Sequence, residues 1–178
     1  SKNAATRGGA IYSEKSELDI TRTNLTENQA IGGGGGGIMW TGNEAKYVPR
    51  ENNDFYDKNT ALYGNIIATD ARNVSVSPKR IEARNDKTFN ITARLFDYYG
   101  QYFEDEDISH NLFVTSLSTE TKLVTPSFTA TLAARTTKTI FNDLQLRGMP
   151  GTYKLQVDDG TETVAPSTVD IHIISCYH

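Results

Sequence analysis

The chain has 178 residues, enough for one large domain or two small ones. Its 22 acidic residues outnumber the 18 basic ones and give a net charge of −4, which argues against a nucleic-acid-binding surface and against a polybasic membrane patch. No apolar run approaches the ~20 residues that a membrane helix needs, and the first residues do not form a signal peptide.

A repeated pattern organises the first part of the chain. Residues 28–30 (Asn-Gln-Ala) precede six consecutive glycines at residues 32–37, and residues 3–5 (Asn-Ala-Ala) precede Gly-Gly-Ala-Ile at residues 8–11. A third, weaker copy begins at Asn59 and has Gly64 behind it. Self-similarity at a period of roughly 20–30 residues indicates a solenoid, in which each repeat is one coil stacked on the last. Between copies, residues 18–20 (Leu-Asp-Ile) alternate and predict a short strand.

The residue types of the repeat suit such a coil. Glycine reaches positive φ and tolerates close backbone approach, so paired glycines fit a tight corner beside a neighbouring coil. Asparagines at equivalent points of successive coils can stack into a ladder in which each side-chain amide satisfies the next. The alternative is a flexible glycine-rich linker, which the repeated order of Asn, Ala, Gly-Gly and Ile disfavours.

This pattern resembles the repeat of right-handed parallel β-helix surface proteins, the polymorphic outer-membrane and adhesin-like proteins of the pectin-lyase-like superfamily. The resemblance covers residues 1–76 and implies two to three coils at the end of a β-helix. An insertion at residues 41–53 departs from the pattern and lengthens the step to the third copy.

A second region begins after Ser77 and Pro78, since a proline cannot join a central strand ladder. Thr, Val, Ile, Tyr and Phe are plentiful here, and the alternating segments predict about seven strands separated by turns. That spacing is typical of an immunoglobulin-like sandwich over residues 79–176. The predicted strands and turns that carry this interpretation are residues 89–95, a turn at 97–100, 112–117, 128–132, 139–146, a turn at 150–151, 153–157, a turn at 159–160, and 169–173. The whole chain is therefore predicted to be all-β, with parallel β-helix coils followed by an immunoglobulin-like sandwich.

The second region also resembles a family. Residues 97–101 (Asp-Tyr-Tyr-Gly-Gln) look like the Asp-x-x-Gly-(Asn/Gln) turn of filamin-type and bacterial Ig-like repeats, and residues 150–153 (Pro-Gly-Thr-Tyr) look like the start of one of their strands. The resemblance implies a sandwich in which Tyr153 packs near one end. The family ranges over crosslinkers, adhesins and fibre subunits, so the resemblance does not fix a function.

Several segments suggest chemistry and are each better explained by structure. The acidic residues 104–107 could supply oxygen ligands to calcium but lack the spacing of an EF-hand loop, and a solvated loop is favoured. The glycine run is not followed by Lys-Ser or Lys-Thr, which argues against a phosphate-binding loop. Polysaccharide lyases and hydrolases share the β-helix fold, but the carboxylates of the first region are scattered. We therefore predict no catalytic residue, no metal ligand and no cofactor.

The residue-level predictions concern modification. Three Asn-x-Ser/Thr sequons, at Asn24, Asn73 and Asn90, are candidate glycosylation sites if the protein is secreted by a eukaryote. Asn90 is favoured because its side chain should point outward from its strand. Cys176 is the single cysteine, so we expect it to be a half-buried thiol at a strand end, the first cysteine of a following disulfide-rich module, or the partner in an intermolecular disulfide.

Together these features predict an extracellular, cell-surface structural or adhesive protein, a glycosylated subunit of a fibre built from copies of itself. Both chain ends have the look of cuts through a longer polypeptide. The alternatives are a fragment of a polysaccharide lyase or hydrolase with an accessory Ig-like domain, and a calcium- or carbohydrate-binding module.

Overall fold

The computed structural model describes residues 2–42, 55–85, 87–124 and 128–174, and within them every regular element is a β-strand, which confirms the all-β prediction. Two compact units are present: unit 1 is Ser1–Arg72 with Phe96–Ile108, and unit 2 is Asn73–Leu95 with Ser109–His178. The strands in chain order are β1 (Ala4–Ala5), β2 (Ile11–Glu14), β3 (Asn24–Thr26), β4 (Gln29–Ala30), β5 (Ile38–Thr41), β6 (Phe55–Asp57), β7 (Ile67–Thr69), β8 (Asn73–Ser77), β9 (Arg80–Ala83), β10 (Phe89–Phe96), β11 (His110–Ser116), β12 (Lys122–Val124), β13 (Thr129–Leu132), β14 (Thr139–Arg147), β15 (Gly151–Asp158) and β16 (Ser167–Ile173).

The described residues of unit 1 form three successive segments, called coils here, whose strands pair in parallel with the equivalent strands of the next segment. Coil 1 carries β1, β2 and β3, and coil 2 carries β4, β5 and β6. Coil 3 adds β7 beside β5, and bridges from Thr60 to Gln29 and from Tyr63 to Gly34 extend the same pairing. The register pairs Ile11 with Ile38 and Ile38 with Ile67, so the sequence repeat is the structural repeat.

The predicted asparagine ladder is present in unit 1. The side-chain amide of Asn3 donates to Oδ1 of Asn28 at 3.1 Å, and that of Asn28 donates to Oδ1 of Asn59 at 3.0 Å. The Asn59 amide then donates to the carbonyl of Leu25 at 2.8 Å. Because Asn28 and Asn59 are buried, these bonds satisfy polar groups that have no access to water.

The interior of the coils is apolar. Its buried core cluster contains Ile20, Leu25, Ile38, Trp40 and Ile67. The prediction of a strand at residues 18–20 is wrong, since these residues form no regular element. The alternating pattern does correspond to burial, because Ile20 is in the core while Asp19 is exposed. An irregular segment can place alternate side chains inward without pairing to a neighbouring strand.

Unit 2 contains a four-stranded sheet in the order β12-β14-β10-β8 and a five-stranded sheet in the order β13-β11-β15-β16-β9. The pairs β10–β14, β11–β13, β11–β15, β12–β14 and β15–β16 are antiparallel, and β9 pairs with β16 in parallel. Alternate side chains along the long strands are buried, and the fully buried ones include Leu95, Leu112, Leu144 and Leu155.

The long alternating strands of unit 2 were predicted, whereas the short strands β9 and β12 were not. Two segments fall differently from the predicted 1–76 and 79–176 division. Strand β8 belongs to unit 2, and the segment Phe96–Ile108 belongs to unit 1.

Candidate functional site

The segment Phe96–Ile108, called the strap here, contacts all three coils of unit 1. Asp97 binds coil 3 through the backbone amide of Thr69. The backbone amide of Glu106 donates to the carbonyl of Gly32 in coil 2 at 2.8 Å. Asp105 pairs with Arg7 in coil 1. The strap therefore fastens the coils to one another.

At coil 3 the strap completes the hydrogen bonding of β7, which is the last strand of the sheet β2-β5-β7. Oδ2 of Asp97 accepts from the amide of Thr69 at 3.2 Å, and Nε2 of Gln101 donates to the carbonyl of Ile67 at 2.9 Å. Gln101 Nε2 also donates to Oδ2 of Asp97 at 2.9 Å. Two side chains thus satisfy backbone groups that a neighbouring strand would otherwise satisfy.

Asp97 is fully buried and also shapes the strap. Its Oδ1 accepts from the backbone amides of Tyr99 and Gln101, both at 2.9 Å, which is the turn predicted for residues 97–100. Burial raises the pKa of the Asp97 carboxyl, while the hydrogen bonds from Gln101, Thr69 and Tyr99 oppose that rise. Both oxygens of the carboxylate therefore accept hydrogen bonds from within the protein.

At the other end of the strap, Asp105 contradicts the prediction of a solvated acidic loop. Its carboxylate is buried and forms a bidentate ion pair with Arg7. Nε of Arg7 donates to Oδ2 at 2.6 Å, and Nη2 donates to Oδ1 at 2.8 Å. Oδ1 also accepts from the backbone amides of Asp107 and Ile108. Burial alone would raise the pKa of Asp105, but the hydrogen bonds from Arg7 and from these amides outweigh it and hold the pKa below its usual value.

Aromatic side chains anchor the strap between its two ends. The Tyr99 hydroxyl accepts from Nε1 of the buried Trp40 at 3.0 Å, and the ring of Tyr98 lies 5.8 Å from that of Trp40. Phe103 packs on Tyr63, with ring centroids 5.3 Å apart. The Tyr63 hydroxyl donates to the carbonyl of Thr69 at 2.6 Å, and burial raises the pKa of that phenol well above its usual range.

The glycine run of coil 2 makes room for these contacts. A Cβ on Gly33 would lie 2.8 Å from Cγ of Arg7 and 3.1 Å from Oδ2 of Asp105. A Cβ on Gly34 would lie 2.4 Å from the ring of Tyr63. The run is therefore buried structural backbone, as the preference for a coil corner over a phosphate-binding loop predicted.

None of the predicted modification sites is part of the strap. Asn24 is exposed on β3 in unit 1, while Asn73 and Asn90 are exposed on β8 and β10 in unit 2. Oδ1 of Asn90 accepts from the backbone amide of Asp143 at 2.9 Å. These glycosylation sites stay predictions, and Cys176 lies outside the described residues.

The described residues offer neither a metal site nor a membrane-spanning helix. Residues 2–42, 55–85, 87–124 and 128–174 contain no group of three or more His, Cys, Asp or Glu side chains arranged to hold a metal ion. The same ranges contain no helix of the length and apolar character needed to cross a bilayer.

The sequence analysis did not predict that Asp97, Gln101 and Asp105 bind the strap to the coils. Asp97 and Gln101 were identified only as parts of a local turn. Arg7 and Asp105 are 98 residues apart, and no local pattern links them. The third copy of the repeat did contain a signal that coil 3 differs from the others. Asn65 occupies the position at which the two earlier copies have their second glycine.

A scan of protein families gives no match to this chain, and no curated protein matches it. Among solved structures, domains 4 and 5 of the S-layer protein SbsC are similar at 15% identity and a TM-score of 0.41, covering 61% of this chain and 56% of that one. The adhesin InvE of Yersinia pseudotuberculosis is similar at 23% identity and a TM-score of 0.34, covering 56% of this chain and 26% of that one. This chain therefore spans less than two thirds of the length of either of these two structures.

Proposed function

We propose that this chain is an extracellular, cell-surface structural or adhesive protein without catalytic activity. In this proposal the coils of unit 1 are a right-handed parallel β-helix and unit 2 is an immunoglobulin-like sandwich. Copies pack head to tail into a fibre, and glycans are carried on Asn24, Asn73 and Asn90.

The strap is the observation that carries the proposal. It binds coil 1 at Arg7, coil 2 at Gly32 and coil 3 at Thr69. Its two buried carboxylates, those of Asp97 and Asp105, accept from backbone amides and from the side chains of Gln101 and Arg7. Polar side chains that an enzyme would keep available for a substrate are here used to resist separation of the coils, which suits a protein that bears load.

The glycan part of the proposal is supported by exposure. Asn24, Asn73 and Asn90 are each exposed, so an oligosaccharide on any of them would extend into solvent without displacing a core side chain. On Asn90 the bond to the Asp143 amide uses Oδ1, which leaves Nδ2 as the atom that would carry the sugar.

The test is electron microscopy together with intact mass, on the chain secreted from a eukaryotic host. We expect regular filaments, and a mass above the 19.7 kDa of the polypeptide that a glycosidase returns to that value. Changing all three sequon asparagines to Gln is the matched control, because it removes the glycans and leaves the buried asparagines of the ladder in place.

Discrete monomers at the bare polypeptide mass would contradict the proposal. Cleavage of a polysaccharide by the purified chain would replace it with the alternative of a lyase or hydrolase fragment. Filaments of the unglycosylated triple variant would assign assembly to protein contacts and would leave the structural role intact.

A further inference from the structure

The corners of coils 1 and 2 have room for the next coil only because they are glycines. A Cβ on Gly9 would lie 2.3 Å from the carbonyl oxygen of Gly36, its equivalent in coil 2. A Cβ on Gly36 would lie 2.5 Å from the carbonyl oxygen of Asn65 and 2.7 Å from the amide of Thr60, both in coil 3. Real Cβ atoms essentially never approach backbone so closely, so a coil with a side chain at this corner cannot accept a further coil in the same register.

Coil 3 has a residue with a side chain, and not a glycine, at the corresponding corner. Gly8, Gly35 and Gly64 keep the same positive φ in all three coils, at 61°, 74° and 60°, so the backbone makes the same turn each time. The next residue is Gly9 in coil 1 and Gly36 in coil 2 but Asn65 in coil 3, and it is followed there by the exposed Ile66. The Cβ atom of Asn65 lies where the backbone of a fourth coil in the same register would have to pass.

The hydrogen bonding of coil 3 also differs from that of coil 2 in a way that replaces a next coil. In coil 2 the amide of Ala30 donates to the carbonyl of Thr60 in the next coil at 2.8 Å. In coil 3 the equivalent amide, that of Ala61, donates to Oδ1 of Asn65 at 3.0 Å. The side chain of Asn65 thus replaces a backbone carbonyl of the next coil, as Asp97 does for Thr69.

We propose that the outer face of coil 3 is a built stop, closed to the addition of a coil from a second copy of this chain. Asn65 excludes the incoming backbone, and Asn65, Asp97 and Gln101 supply the hydrogen bonds that it would have made. The proposal goes beyond the structural function, because it states that copies of the chain do not join through the outer face of coil 3.

The first experiment is amide hydrogen–deuterium exchange on the full chain with three variants of Asn65. Asn65→Asp keeps the acceptor, so the Ala61 amide should exchange as in the parent chain. Asn65→Ala removes the acceptor and keeps Cβ, and exchange at Ala61 should become about 10- to 100-fold faster. Asn65→Gly should behave like Asn65→Ala at Ala61. Equal exchange in all four proteins would overturn the acceptor role.

The second experiment exchanges the corner residues between coils. Gly36→Asn puts the coil 3 residue under a stacked coil and should speed exchange at the Ala30 amide by at least about 100-fold, or prevent folding. Asn65→Gly makes the reverse change at the outer face and should lower the urea midpoint far less than Gly36→Asn does. A Gly36→Asn protein with parental exchange at Ala30 would overturn the exclusion argument.

The third experiment compares dilute and assembled protein. In coil 2 the amides of Gly37 and Ile38 donate to carbonyls of coil 3, so a coil added to coil 3 would protect the equivalent amides of Ile66 and Ile67. Exchange at Ile66 should be unchanged on assembly, and a tenfold slowing there would overturn the proposal. Should no filament form, the structural function fails, while the exchange and corner experiments still decide whether the face is closed.

Discussion

Replacing Asp97 by Ala tests whether the strap stabilises the coils. The change removes the acceptor of three backbone amides, those of Thr69, Tyr99 and Gln101. Each buried amide left without a partner costs about 1–3 kcal/mol, and the sum is reduced because a buried carboxylate no longer has to be desolvated. We expect unit 1 to lose about 3 kcal/mol, a large part of the stability of an ordinary domain.

The assay is equilibrium unfolding in urea, followed by the fluorescence of Trp40. This is the single tryptophan of the chain, it is buried in the coils, and its Nε1 donates to Tyr99 of the strap. The signal therefore reports on unit 1. Asp107→Ala is the matched control, because it removes an exposed carboxylate from the same strap and should change stability by at most about 0.5 kcal/mol. If Asp97→Ala and Asp107→Ala unfold at the same urea concentration, the strap does not contribute as argued.

Three further predictions use the same fluorescence assay. Asp105 has a lowered pKa, so the unfolded chain binds its proton more tightly, and unit 1 should lose stability as pH falls from the usual value of 3.8 through the lowered folded value. Asp105→Asn should reduce this acid loss relative to the parent chain, and an unchanged pH dependence would contradict the assignment. Asn59→Ala should cost about 2–4 kcal/mol, because the amides of Asn28 lose their acceptor and the carbonyl of Leu25 loses its donor. A loss no greater than that of Asn24→Ala, at an exposed position of the same unit, would refute the role of the ladder. Gly36→Ala should cost about 3 kcal/mol or more from backbone overlap. Gly100→Ala, with no atom within 4 Å but a φ of 75°, should cost only about 1–2 kcal/mol from backbone strain, and equal losses in the two variants would contradict the overlap argument at Gly36.

The parts of this fold that the sequence predicted are those encoded by local repetition. The asparagine ladder and the glycine corners recur at equivalent points, and each residue type has a physical reason to be there. The long strands of unit 2 were predictable for the same reason, since alternation over seven or more residues leaves few other interpretations.

The parts that were not predictable depend on distant residues. Residues 104–107 are four consecutive acids, and such runs are usually solvated. Asp105 is buried because Arg7 meets it across 98 residues of sequence, and two backbone amides of the strap complete its shell. The turn at residues 97–100 was predicted correctly, but its role as a partner of β7 depends on where the coils lie.

The position of the strap in the chain has a consequence for biosynthesis. A ribosome makes the first 72 residues, and with them all three coils, before it makes Asp97 and Gln101. During that interval the backbone groups of Thr69 and Ile67 lack the side chains that later satisfy them, and Arg7 lacks its carboxylate. Contacts of such high sequence separation form late, and unpaired strand edges are where nascent chains aggregate. The interval before the strap docks is therefore the stage of folding at which this protein most needs protection from pairing with its neighbours.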